Sequence, residues 1–246
     1  PEASHTVLLG IQGRTLLAGT SKDGGENRHL ALDIATGADR WSGPRETMLL
    51  APGNGDLVFT SSPPTTLNAL SAGTGRKVWS ADLPNAARDP DNKDALSLNV
   101  TVANGLVYMN GPTIYALDAS TGRQRWTYTP TSPGGQTRNF LVNGRYVYVM
   151  DSPRLVALDA RTGRRLWSAD TPAANGAPMV AAGGLICIGV AGTPDSGLYG
   201  WDAKTGQIVW NHPVATPAST KQWTLSTKGP ALAAAHGTAL LAFHLR

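Results

Sequence analysis

Five nearly continuous apolar runs mark the chain, at residues 16–20, 57–61, 106–110, 146–150 and 185–190. Runs of this length, apolar at consecutive positions, read as strands covered on both faces. A weaker stretch lies ahead of each, at residues 5–11, 47–51, 97–103, 137–142 and 178–182. Between the two stand Gln12-Gly13-Arg14, Asn54-Gly55, Asn104-Gly105, Asn143-Gly144 and Gly183-Gly184. Such dipeptides favour the tight turns of antiparallel hairpins, so each pair reads as a hairpin.

A second hairpin follows each apolar run, and it repeats. ALDIATGADRW (31–41), ALSAGTGRKVW (69–79), ALDASTGRQRW (116–126), ALDARTGRRLW (157–167) and GWDAKTGQIVW (200–210) share one pattern. Three alternating residues end in Asp33, Asp118, Asp159 or Asp202, with Ser71 in the second copy. A turn closed by Thr-Gly follows, using Gly37, Gly75, Gly122, Gly163 and Gly206. Glycine supplies positive φ without steric cost, and the Asp and Thr oxygens can accept bonds from the turn's own N–H groups. Four residues after each glycine stands a tryptophan: Trp41, Trp79, Trp126, Trp167 or Trp210. The indoles therefore share one side of equivalent strands and are expected to wedge between successive units. Burying one removes about 150–250 Å² from water, roughly 4–6 kcal/mol before entropy.

The tryptophans are spaced by 38, 47, 41 and 43 residues. That period fits four strands per unit and exceeds the roughly 34 residues of the common two-helix repeats. The fold class expected is all-β, a β-propeller of four-stranded antiparallel blades. One domain over 1–246 is expected, with blades at about 5–43, 46–81, 96–129, 137–170 and 178–212 and a partial sixth at 230–246. Residues 230–235 and 239–243 read as the first two strands of that sixth blade. The sequence thus reads as a fragment of a longer chain, whose finished ring has six to eight blades.

Composition changes this picture little. With 28 Gly and 17 Pro in 246 residues and 41% hydrophobic positions, the chain suits many short strands joined by turns. No apolar run approaches the roughly 18 residues of a helical membrane span, so a membrane link is expected only through a segment outside this sequence. The net charge is +4, but Arg76, Lys77, Arg123, Arg125, Arg161, Arg164 and Arg165 are scattered through turns. They read as a solvated surface, and no nucleic-acid partner is expected. Abundant Arg, Ala, Gly and Thr suit a high-GC bacterium. The single cysteine, Cys187, lies in the apolar run LICIGV and reads as a small core residue.

The repeated Asp, Thr-Gly and Trp positions resemble the tryptophan-docking repeat of the PQQ-like β-propellers. That family includes quinoprotein alcohol dehydrogenases, an outer-membrane assembly lipoprotein and the sensor domains of actinobacterial receptor serine/threonine kinases. The resemblance covers nearly the whole chain. It implies a non-catalytic binding module, in the first instance the extracytoplasmic sensor domain of a receptor kinase; the alternatives are an assembly-type scaffold and, last, a quinoprotein dehydrogenase. The family's enzymes carry adjacent cysteines over the quinone, and this chain has only Cys187. Its glutamates are Glu2, Glu26 and Glu46 alone. Neither pyrroloquinoline quinone nor calcium is expected as a cofactor, and no metal site or catalytic residue is assigned. The loop Asp89-Pro90-Asp91-Asn92-Lys93-Asp94 lacks the Gly and Glu of an EF-hand and reads as solvated.

Long connections at residues 21–29, 81–96, 128–136, 190–197 and 211–229 are expected to share one face. Variable loops on a rigid scaffold are where binding sites are usually built. A small ligand or protein partner is expected there, with His29, Arg138, Arg154, Lys221 and Trp223 as candidate contacts.

Overall fold

A computed structural model describes residues 4–22, 27–43, 48–53, 55–62, 66–84, 100–109, 111–131, 140–173, 177–214 and 222–245. The described residues form strands and turns and no helix. The chain divides into two compact units, Pro1–Thr127 and Tyr128–Arg246.

Three antiparallel meanders build the first unit. They are β1 (Ser4–Gln12), β2 (Thr15–Lys22), β3 (Asn27–Asp33) and β4 (Asp39–Ser42); β5 (Met48–Pro52), β6 (Leu57–Ser62), β7 (Thr66–Ser71) and β8 (Lys77–Asp82); and β9 (Val100–Ala103), β10 (Leu106–Met109), β11 (Ile114–Asp118) and β12 (Gln124–Tyr128). The second unit continues with β13 (Phe140–Asn143), β14 (Tyr146–Asp151), β15 (Arg154–Asp159) and β16 (Arg165–Asp170), then β17 (Met179–Ala182), β18 (Leu185–Val190), β19 (Gly197–Asp202) and β20 (Ile208–Pro213). Its last sheet has three strands, β21 (Trp223–Lys228), β22 (Ala231–His236) and β23 (Ala239–His244).

Within each unit the first strands of successive sheets are neighbours: β1 with β5 and β5 with β9, then β13 with β17 and β17 with β21. The sheets therefore stack face to face, and the apolar second and third strands fill the layers between. In the first unit Leu17 and Ala31 meet Val58, Leu70 and Ala72, while Phe59, Leu67 and Ala69 meet Val107, Met109 and Leu117. In the second, Tyr148, Met150 and Leu155 meet Ile186, Ile188 and Trp201. Consecutive apolar residues appear in these strands because both faces of each sheet are covered.

Three expectations need correction. Residues 231–236 and 239–244 are the second and third strands of the sixth sheet, since Trp223–Lys228 pairs with Ala231–His236 ahead of them. The alternation of Trp-Thr-Leu-Ser-Thr-Lys, with Trp223 buried and Thr224, Ser226 and Lys228 exposed, makes this segment a strand. The supposed long connection at 211–229 is accordingly shorter, because β20 runs to Pro213 and β21 starts at Trp223. The connection at 21–29 shrinks likewise, as β2 reaches Lys22 and β3 begins at Asn27.

Candidate functional site

Each sheet has two ends with different chemistry. At one end the third strand turns into the fourth through the repeated hairpin. Asp118 shows how the residues specify it: Oδ1 accepts from the N–H groups of Ser120 and Thr121, both at 3.1 Å, and from both hydroxyls. The Gly122 N–H donates to the Asp118 carbonyl at 2.9 Å. Asp33, Asp159 and Asp202 accept equivalent backbone bonds from Ala35 and Thr36, Arg161 and Thr162, and Lys204 and Thr205. In the second copy Ser71 donates instead to Asp56 at 2.8 Å, a carboxylate borrowed from the neighbouring turn.

These bonds hold the carboxylates in their charged form. The Asp33 pKa drops to about 2, chiefly through the Arg40 guanidinium and then the Ala35 N–H. Asp118 lies below the usual carboxylate range because of the Ser120 and Thr121 hydroxyls. The Thr162 hydroxyl lowers Asp159, and the Thr205 N–H and hydroxyl lower Asp202. A carboxylate this committed is a poor proton acceptor near neutral pH.

The glycines and tryptophans complete the device between sheets. A Cβ on Gly75 would lie 2.8 Å from the Trp41 ring, one on Gly122 2.6 Å from the Trp79 ring, and one on Gly206 2.5 Å from the Trp167 ring. The indole N–H groups donate to the carbonyls of Ala72, Ala119 and Ala203, at 2.7, 3.0 and 3.3 Å. Each turn thus presents a bare glycine and a carbonyl to the indole of the preceding sheet. Trp126 is buried and tilts against Tyr108 of its own sheet. Trp210 stacks on Phe243 of the sixth sheet, with centroids 5.6 Å apart. Gly37 and Gly163 adopt the same positive φ of 70°.

The opposite end carries the candidate contacts. His29 is buried at 9% exposure, and burial lowers its pKa. Arg154 opens β15 and pairs with Asp170 at 3.5 Å in an exposed ion pair. Trp223 is only 3% exposed: its Nε1–H donates to the Val190 carbonyl at 2.9 Å, and its ring stacks on His236 at 4.7 Å. It is a wedge between the fifth and sixth sheets and offers no open platform to a ligand. Arg154 and Trp223 belong to different sheets of the second unit. Arg138, Lys221 and the 89–94 loop lie outside the described residues.

This end also contains groups the sequence reading passed over. Asp151, 5% exposed, accepts from the Tyr128 hydroxyl at 2.9 Å and from the Thr131 N–H and hydroxyl at 3.0 and 3.1 Å. Burial, followed by the Asp151 bond, raises the Tyr128 pKa. The Ser196 hydroxyl donates to the Thr193 carbonyl at 2.6 Å and Tyr199 to the Asp195 carbonyl at 2.7 Å. The available signal was an acid closing an otherwise apolar strand, Tyr146–Asp151. These bonds hold Tyr128 and Thr131 against β14 and close the turn at residues 193–196.

The cysteine and the acids of the described residues have the following surroundings. Burial pushes the Cys187 thiol up to about 12, so it stays protonated near neutrality. Among the described residues no three His, Cys, Asp or Glu side chains converge as metal ligands. Asp33, Asp118, Asp159 and Asp202 are engaged in their turns, Asp151 by Tyr128 and Thr131, Asp82 by the Thr66 hydroxyl and Asp170 by Arg154.

Comparison with known proteins adds the family context. The profile of the family described as outer membrane protein assembly factor BamB matches residues 28–139 and 64–244. The solved BamB of Moraxella catarrhalis superposes with a TM-score of 0.68 at 20% identity, covering 96% of this chain and 72% of that one. The computationally designed Ika8 protein gives 0.70 at 16% identity, with 98% and 71% covered. Quinohemoprotein alcohol dehydrogenase of Comamonas testosteroni gives 0.56 at 17% identity, with 87% and 45% covered. At these identities the likeness is one of fold, the β-propeller. Among curated proteins, lupanine 17-hydroxylase [cytochrome c] of Pseudomonas sp is 35% identical over 146 residues, 50% of this chain. The match spans 21% of that relative's length.

Proposed function

The chain belongs to the PQQ-like β-propeller family of the outer membrane protein assembly factor BamB, and from that premise we propose that it is a non-catalytic scaffold acting outside the cytoplasm. Its partner is a protein or small ligand held at the sheet ends opposite the docking hairpins. The observation that carries this reading is the commitment of the repeated chemistry. Asp33, Asp118, Asp159 and Asp202 are spent on their own turns, and Trp41, Trp79 and Trp167 on the glycine of the next sheet. The described connections at the opposite ends, among them residues 152–153 and 191–196, differ in sequence from one another, and varied connections suit recognition more than turnover. None of the matched proteins named above is a receptor kinase, so the assembly-type scaffold is preferred to the sensor-domain reading.

A second reading is the quinoprotein oxidoreductase that the repeat's resemblance implies, and the 35% identity to lupanine 17-hydroxylase [cytochrome c] favours a redox enzyme over a scaffold. A single titration separates the two. Pyrroloquinoline quinone and Ca²⁺ are added to the protein while quinone absorbance and melting temperature are followed. The scaffold reading expects neither to change. A saturable spectral shift with a raised melting temperature would establish the cofactor and replace that reading.

A further inference from the structure

The second unit carries its charge unevenly. At the docking-hairpin ends of its sheets stand Arg145, Arg161, Arg164, Arg165, Lys204 and Lys228, all exposed. The acids described at those ends are Asp159 and Asp202, and both are held by their own turns. At the opposite ends the described charges are Asp151, Arg154, Asp170 and Asp195. The cations are scattered in sequence, and the sheet topology brings them to one side.

The Trp167 contact joins two of these hairpins. Its ring lies on Gly206 and its N–H donates to the Ala203 carbonyl at 3.3 Å. Arg164 and Arg165, at the start of β16, therefore run beside the fifth-sheet hairpin that carries Lys204. Arg145 pairs with Asp159 at 3.4 Å, whereas Arg161, Arg164 and Arg165 have no carboxylate partner among the described residues.

Apolar side chains stand next to these cations. β20 begins with Ile208 and Val209, 54% and 56% exposed. The same two places hold Asp39 and Arg40 in β4, Gln124 and Arg125 in β12, and Arg165 and Leu166 in β16. Their exposure belongs to the position: Val78, which precedes Trp79 as Val209 precedes Trp210, is 53% exposed although a full four-stranded sheet follows it. Solvation or a nucleic-acid backbone would answer the cations alone. An anionic lipid surface answers both groups, because its phosphates attract Arg and Lys while apolar side chains enter the boundary with the acyl chains.

We propose that the docking-hairpin end of the second unit is a peripheral contact surface for an anionic lipid membrane. Arg161, Arg164, Arg165 and Lys204 meet headgroup phosphates, and Ile208 and Val209 enter the interface. The opposite ends of the same sheets then point away from the membrane, toward the partner of the scaffold.

The probes are vesicles of phosphatidylglycerol with phosphatidylethanolamine and, as reference, vesicles of phosphatidylcholine, sedimented with the full chain. Affinity for the anionic vesicles should exceed the reference about tenfold or more, and should fall as salt rises. The triple variant Arg161→Gln, Arg164→Gln, Arg165→Gln should lose most of that difference, each surface cation being worth about fivefold. Val209→Asp should also weaken binding, by about tenfold. An environment-sensitive dye on Ile208→Cys should shift to the blue on anionic vesicles; Cys187 is fully buried and escapes labelling. The substituted positions are all exposed, so the variants keep the fold, which an unchanged melting temperature checks. Absent binding to anionic vesicles at about 0.1 M salt, or binding indifferent to both sets of substitutions, would overturn the proposal. So would binding to polyglutamate as tight as to the vesicles with no dye shift on lipid, since the surface would then be one for an acidic protein.

Discussion

The fifth and sixth sheets share one interface, yet they are held by different means from the pairs before them. Between the fourth and fifth sheets, Trp167 lies on Gly206 and donates to the Ala203 carbonyl. Between the fifth and sixth, Trp210 stacks on Phe243, and Trp223 reaches back to Gly189 and the Val190 carbonyl. Between these two sheets an aromatic stack and a reversed wedge make the described contacts. The repeated motif is thus one solution to joining sheets. Its residues are architecture, and they should not be mistaken for a catalytic set.

The sharpest break in this comparison is at an indole. Trp79→Ala removes the ring from Gly122 and leaves the Ala119 carbonyl without its donor, and it should cost about 3–5 kcal/mol in urea unfolding. A loss below about 1 kcal/mol would mean the indole does not hold the sheets together.

Glycine substitutions separate the strain of a turn from the crowding of a docking site. Gly206 has φ +74° with the Trp167 ring in the path of a Cβ, whereas Gly229, in the sixth sheet, has φ +58° and nothing within 4 Å. Gly206→Ala should cost about 2–3 kcal/mol and Gly229→Ala about 1 kcal/mol, the left-handed backbone being common to both. Equal losses, measured as urea midpoints, would remove the ring from the explanation.

The smallest effect is electrostatic and belongs to the four hairpins that carry Asp33, Asp118, Asp159 and Asp202. Carboxylates whose folded pKa lies below the unfolded value stabilise the protein above the unfolded pKa of about 3.9 and lose that contribution as pH falls through the folded pKa. With Asp33 at about 2, melting temperature should fall between about pH 4 and pH 2. Asn at Asp33, Asp118, Asp159 and Asp202 together should flatten that fall while lowering stability at pH 6.

The hairpins were legible in the sequence because their bonds are local. Asp33 accepts hydrogen bonds from residues 35, 36 and 40, and the Thr-Gly pair lies between. The sixth sheet was misread because Trp223 falls outside the repeat, although the alternation from Trp223 to Lys228 was there to find. The opposite ends were illegible for another reason. Tyr128 and Thr131 meet Asp151 across 23 and 20 residues, a meeting set by sheet register and unmarked by any local spacing. Trp223 passed as a surface candidate because its burial depends on Gly189 of another sheet, where no side chain fills the space.

The most direct test of the architectural claim is a double-mutant cycle on Trp79 and Gly122. The account predicts that Gly122→Ala costs about 2–3 kcal/mol in the native background but only about 1 kcal/mol once Trp79 is Ala, since the ring that a Cβ would strike is gone. Strictly additive losses would contradict it, and the repeat would then have to be explained without contact between indole and glycine.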